Sequence, residues 1–466
     1  MNDVRFKIPF KVGGIALCLF SILSAPVYAQ SLEQAVAQAL DTHPDVRQSF
    51  GKFKSLEEQV NQASAGYLPT LDLTAGYGYE YTNSPGNRRS QLGKSDGETE
   101  LRRGEFGLSV RQMLFDGFYT SSDVDRTMFE ASAEQWNLLG IAEDLALSVA
   151  KSYLNFLKAQ QLVALSDKNI ASHQEIYEQI KERTDSGLSS IADLSQITGR
   201  LARAQSNVVA ARNNYRDARV QFKRLTNTEP QDLVMPVPDA DMLPQTLETG
   251  LSQALAEHPV IKSSQQDTQA ARSYKSLVQA SYYPTLTLEI DANANNNIRG
   301  ENGMDSFGRD VGGHSNDVTA MVRFKYNLYA GGKNVSQERD AAYKINQAKE
   351  INYRAHRQVT EGMELAWNAY EMLGLQMQYI QLHVEASNDT HVAYVQQFKL
   401  GQRSLLDLLD TENELFQARQ DYLEAQFSEL DARYRLLNAT GQLLDSLRIT
   451  RSKAWQGEHA YQEGIN

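Results

Sequence analysis

The residues best placed to do chemistry lie in two short stretches. Ser190 precedes Asp193 by three positions, and Ser404 precedes Asp407 by three, with Arg403 just before it and Asp410 three further on. Serine followed by an acid at this spacing is a helix capping box, and an acid in a first turn is favoured by the helix dipole. That accounts for Asp193 and Asp407 but not for Asp410. Asp407 and Asp410 are i, i+3 on a helix and so share one face. Copies of that face around an axis would stack carboxylate rings that attract cations and resist closure unless compensated. Read alone, Asp410 is equally an outer-face acid in water. Other constellations are weaker. The eight histidines are dispersed, and His43 and His258 mark element boundaries better than ligands. Asp291-Ala-Asn293-Ala-Asn295 opens like a calcium loop but lacks the later glycine and glutamate. There is no phosphate-cradling glycine loop and no nucleophile with a base and orienter. No cofactor and no metal site is expected.

The carrier of these residues is an exported chain. Arg5, Lys7 and Lys11, then apolar Val12–Leu23, then Val27-Tyr28-Ala29 read as a signal peptide over residues 1–29. Removing it moves the net charge from -12 to roughly -14, an acidity that argues against nucleic acid as a partner. The single cysteine, Cys18, lies in the leader behind Leu17, which is not the small residue a lipoprotein site needs, so the mature chain has no disulfide or thiol site. No later segment offers about 18 consecutive apolar residues. A soluble periplasmic protein or a β-barrel remains.

The chain then repeats itself. His43-Pro44 returns as His258-Pro259, Pro69-Thr70-Leu71 as Pro284-Thr285-Leu286, Gly187 as Gly401 and Thr226 as Thr440, always 214–215 residues on. This is a duplication: a first repeat over 30–226, a proline-rich linker over 227–249, a second repeat over 250–441 and a tail over 442–466. Asp410 has Gln196 as its first-repeat counterpart. Each repeat opens with a helix (31–66 and 250–281) kinked at the His-Pro step. Two alternating segments follow, 71–81 with 106–114 and 286–294 with 318–328. Leu71, Leu73 and Tyr77 alternate with Asp72, Thr74 and Gly76, the pattern of strands between lipid and water. The connections, 82–104 and 297–316, read as long polar loops. A soluble sandwich is the competing fold. Four strands cannot close a barrel, and an open edge in lipid is costly, so copies must assemble; three chains would give 12 strands, while closure alone also allows two or four chains.

The rest of each repeat is helical. Residues 120–185 and 334–399 contain no proline, which allows helices of roughly 95–100 Å, each followed by a second helix (190–226 and 404–440) with a narrow apolar stripe suited to coiled-coil packing.

The duplicated Pro-Thr-Leu starts, the exits Leu114-Phe115-Asp116-Gly117 and Leu328-Tyr329-Ala330-Gly331, and Gly401-Gln402-Arg403-Ser404-Leu405-Leu406-Asp407-Leu408-Leu409-Asp410 together resemble the TolC family of outer-membrane channels. The resemblance covers essentially the whole mature chain. It implies a membrane α+β fold: a homotrimeric 12-stranded barrel in outer-membrane lipid, continuing into a helical coiled-coil periplasmic tunnel. It also implies docking to a periplasmic adaptor (membrane fusion) protein and an inner-membrane ABC or other transporter, and no catalysis. By the same resemblance Asp407 and Asp410 form the acidic rings of a gated periplasmic entrance, and Arg403 bridges to Asp193 in its lock. The sequence departs where Phe398 replaces a frequent tyrosine and Ala192 a frequent threonine, which implies a simpler lock. Gly187-Leu188-Ser189 and Gly401-Gln402 resemble the adaptor-contacting hairpin tips. The hairpin sequence and lack of lipidation look more like type I secretion channels than drug-efflux ones; efflux is the alternative, and a non-pore periplasmic coiled-coil scaffold a distant one.

Overall fold

The computed structural model describes residues 29–83, 98–299 and 314–457. The expected leader, most of both polar loops and the end of the tail lie outside the described residues.

Each repeat builds the same elements. In the first, α1 (Leu32–Thr42) and α2 (Pro44–Ser64) lead into β1 (Thr70–Asn83), β2 (Glu98–Phe115), α3 (Tyr119–Asp185) and α4 (Ile191–Thr226). In the second, α5 (Leu247–Glu257) and α6 (Pro259–Gln279) lead into β3 (Thr285–Arg299), β4 (His314–Lys325), α7 (Lys333–Lys399) and α8 (Leu405–Ala439). A four-residue helix, α9 (Leu443–Ser446), follows. The His-Pro steps break the helices outright rather than kinking them. His43 and His258 take extended ψ values of 133° and 127°, and each imidazole accepts from the backbone N–H two residues on, capping the next helix. Proline at the first helical position needs no N–H donor there.

The four strands form one antiparallel sheet in chain order, β1-β2-β3-β4. Pairing keeps the apolar rows together: Leu71 faces Val110, which faces Ile290, which faces Ala320. The strands run further toward the polar loops than their alternation alone suggests, while β4 stops at Lys325, short of the expected 328. β2 begins at Glu98, inside the stretch read as loop, and β3 runs on to Arg299. Charged residues such as Arg102 and Arg103 interrupt the alternation while pairing with β1 continues through them, and the β2–β3 register shifts between the two.

Strands hand over to helices at glycines. The Asp116 carboxylate accepts from the Tyr119 N–H (3.0 Å) and Thr120 N–H (2.7 Å) at the start of α3. Gly117 has φ +72°, and a side chain there would meet the Ala280 carbonyl oxygen at 2.7 Å. The second exit uses Gly331 and Gly332, φ +62° and +82°. Both conditions favour glycine.

α3 and α7 each run 67 residues, about 100 Å at 1.5 Å per residue. Near the strands the helices lie in the order α2-α3-α6-α7, and near the hairpin turns in the order α4-α3-α8-α7. The main core lies midway, where α1 packs on α3 with Leu145, Tyr153, Phe427, Tyr434, Leu443 and Trp455 among its members. The linker and tail are part of this core rather than free connections. Tyr153 donates to the Gln30 and Val234 carbonyls (2.8 and 2.6 Å). Glu143 accepts from the Leu443 and Leu444 N–H groups at the start of α9, and Gln135 donates to the Trp455 carbonyl at 2.8 Å.

Candidate entrance and bore

The two helical hairpin turns end at the same pole of the molecule. Gly187 and Gly401 adopt φ +72° and +74°, and the turns close when Leu188 and Gln402 donate to the carbonyls of Arg183 and Gln397. Leu188 and Ile191 are 74% and 78% exposed, and Leu400 is 73% exposed. The tips are therefore apolar as well as exposed, and the sequence reading missed Ile191 and Leu400. Ser189, Ala192 and Gln402 border them.

Both capping boxes form. Ser190 Oγ accepts from the Asp193 N–H (3.1 Å) while Asp193 accepts from Ser190, and Ser404 and Asp407 repeat the arrangement. Hydrogen bonds from the Ser404 hydroxyl and N–H, helped by the nearby Arg403 charge, hold the Asp407 carboxyl below the usual carboxylate range. Behind the turns Ile176, Ile180, Ile197, Leu405, Leu408 and Leu409 pack together with Phe398. Phe398 is thus an apolar member of this plug, with the Arg183 guanidinium 5.7 Å from its ring centre. Leu408 and Leu409 bury into the plug, which leaves Asp407 and Asp410 on the opposite, watery face of α8.

Within one chain Arg403 does not meet Asp193. Its Nε donates to Gln397 Oε1 at 2.9 Å, and its guanidinium lies 4.3 Å from the Tyr394 ring centre. The bridge between hairpins is instead Arg200 of α4 to Asp410 of α8, at 2.9 Å. Arg200 was not visible as a partner in the sequence, because spacing along one helix does not say which helix lies beside it.

At the other pole the charged rows of the strands share one face. Arg323 and Arg111 both reach Glu289, at 2.7 and 3.4 Å. Asn293 donates to Asp317 at 3.1 Å, so the segment that resembles a calcium loop is the polar row of β3.

The free edges coincide. β1 and β4 end the sheet, and the helical layer ends in α2 and α4 on one side and α7 on the other. A groove of about 810 Å³ between His43, Lys52, Glu134 and Arg224 opens on the α2–α4 side. On α7, Tyr343 and Tyr379 are both 74% exposed, and Leu382 is 62% exposed.

The profile of the outer membrane efflux proteins matches residues 35–228 and 250–442, once in each repeat. The chain belongs to this family. The outer membrane efflux protein BepC of Brucella suis is 24% identical over 432 residues, covering 92% of this chain and 90% of that protein. The outer membrane protein TolC of Escherichia coli is 25% identical, covering 92% and 85%. Among solved structures, the channel CusC superposes with a TM-score of 0.75 at 16% identity over 89% of this chain and 92% of that one. The Campylobacter jejuni CmeC outer membrane channel superposes with 0.75 at 16% over 94% of each. The protein is an outer-membrane channel whose helices extend into the periplasm, and its work is passage, not catalysis. No described helix is long and apolar enough to cross a membrane.

Proposed function

We propose that three copies of the chain close into one duct and export substrates handed over at the periplasmic pole. The observation that carries this reading is the coincidence of free edges: β1 and β4 in the sheet, α2 with α4 and α7 in the helical layer. Joining α7 of one copy to the α2–α4 edge of the next also joins β4 to β1, a head-to-tail contact that closes into a ring. Three chains of four strands give 12, within the range of outer-membrane barrels.

In this assembly Asp407 and Asp410 line the entrance as stacked acidic rings. Arg403 of one copy reaches Asp193 of the next, with Phe398 and Ala192 leaving that lock few other polar contacts. The exposed tips around Gly187, Leu188 and Ser189, and around Gly401 and Gln402, receive a periplasmic adaptor that couples the channel to an inner-membrane ABC transporter. Exposed partly hydrated pairs are worth about 0–1 kcal/mol each, so the entrance is latched weakly enough for partners to open it.

The run from Arg403 to Asp410 favours type I secretion; the efflux name carried by the Brucella relative favours a multidrug or small-molecule pump. Deleting the chain distinguishes them. Loss of particular proteins from the medium supports secretion. An unchanged medium with raised drug susceptibility supports efflux and contradicts secretion.

A further inference from the structure

The faces of the four strands divide by chemistry. Leu73, Leu108, Ala292 and Val318 continue one apolar row across the sheet, and every charge discussed below belongs to the other face. In a closed barrel the apolar face turns to lipid and the charged face to the bore. The ends of the strands near Thr70, Phe115, Thr285 and Lys325 are those that join the helices. Rungs close to these ends therefore encircle the passage where the tunnel opens into the barrel.

Charge is layered along that face. Nearest the helices come Lys325, Arg323 and Arg111 against a single acid, Glu289. Arg111 faces Glu289 directly across β2 and β3, and Arg323 reaches it diagonally from β4. Glu289 is 15% exposed while Arg111 and Arg323 are 63% and 56% exposed. Both arginines engage Glu289 through Nε, so the carboxylate orients two guanidinium forks whose remaining donors face water. One rung outward the sign reverses: Asp72 and Asp291 lie in the same rung as Ser109 and Thr319, and Asp317 follows beyond.

We infer that Arg111, Arg323 and Lys325, ordered around Glu289, form a basic girdle at the base of the barrel that binds multivalent oxyanions in transit. The chemistry it recognises is that of clustered phosphate or carboxylate groups, which planar guanidinium forks hold bidentately. The acidic rung beyond it confines such groups to the girdle's level. This inference rests on the closed assembly proposed above.

The alternative is a cross-strand ladder that only stabilises the sheet, and the two differ in sign. The test is block of the full-length channel in planar bilayers by inorganic pyrophosphate, with heat stability of the assembly measured in parallel. Arg323→Gln and Arg111→Gln should each raise the half-blocking concentration about tenfold, whereas Glu289→Gln, which removes the compensating charge, should lower it. Where an arginine change prevents assembly, Lys325→Gln serves as the second basic variant and should also weaken block. A ladder alone would make arginine and glutamate changes lower heat stability together and leave the half-blocking concentration unmoved; that result overturns the girdle. A wild-type chain that forms no channels overturns instead the assembly on which it rests.

Discussion

Asp410 and Arg200 stand 210 positions apart in the chain and 2.9 Å apart in space. Their bridge compensates part of the charge that the acidic face of α8 would otherwise carry, and it ties the two hairpins within one copy. With side chains 59% and 27% exposed, it is worth about 0–1 kcal/mol, so breaking it should raise the open population by up to roughly fivefold per chain. Arg200→Gln and Asp410→Asn should both increase the conductance of the isolated channel. They should move cation preference in opposite directions, up when the base is lost and down when the acid is lost. Unchanged conductance in both variants would remove this latch from the gate. Glu143 makes a second prediction. Burial, opposed by the Leu443 and Leu444 N–H groups, pushes its carboxyl up to about 8. The folded state then holds the proton more tightly than the unfolded chain does. Docking of the tail is therefore most favourable below about pH 4.5 and weakens by about 1.4 kcal/mol per pH unit as pH rises toward 8. Protease cleavage near Arg448 and Arg451 should accelerate across that window, and Glu143→Gln should flatten the profile. The sequence made Asp407 and Asp193 legible because a cap needs only local spacing. Arg200 and Glu143 were not, because their partners come from other elements.

The elements were read well where one physical rule governs them. Absence of proline and a steady apolar stripe gave α3 and α7 nearly to the residue. Strand ends on the loop side were read short because alternation fades into charged residues while pairing continues to Glu98, whereas the fourth strand was read on to 328 and stops at Lys325. The glycine exits were recognisable as a repeated motif, but their reasons differ. At Gly117 an added Cβ lies 2.7 Å from the Ala280 carbonyl oxygen and the Tyr283 Cβ, whereas nothing lies within 4 Å at Gly331. Gly117→Ala should therefore lower stability by about 1–3 kcal/mol through strain and clash together. Gly331→Ala, whose only penalty is positive φ, should cost about 1–2 kcal/mol. Thermal unfolding of the detergent-solubilised protein checks the order; equal losses would assign both sites to backbone conformation alone.

At the scale of the whole molecule, the duplication was legible because the repeat offset barely drifts along the chain. The role of the tail was not, because Leu443, Leu444 and Trp455 join a core built mainly from α1 and α3. What unites the molecule is that its sheet and its helical layer end on the same two sides, with tyrosines and leucines of α7 left open to solvent. A single copy would leave strand edges without partners in lipid, each lost backbone bond costing several kcal/mol. The most direct test is the native mass of the protein extracted in mild detergent. The account predicts three chains per particle, and single-channel currents when that particle is placed in a bilayer. A stable single chain that dissolves in buffer without detergent and carries no current would contradict it.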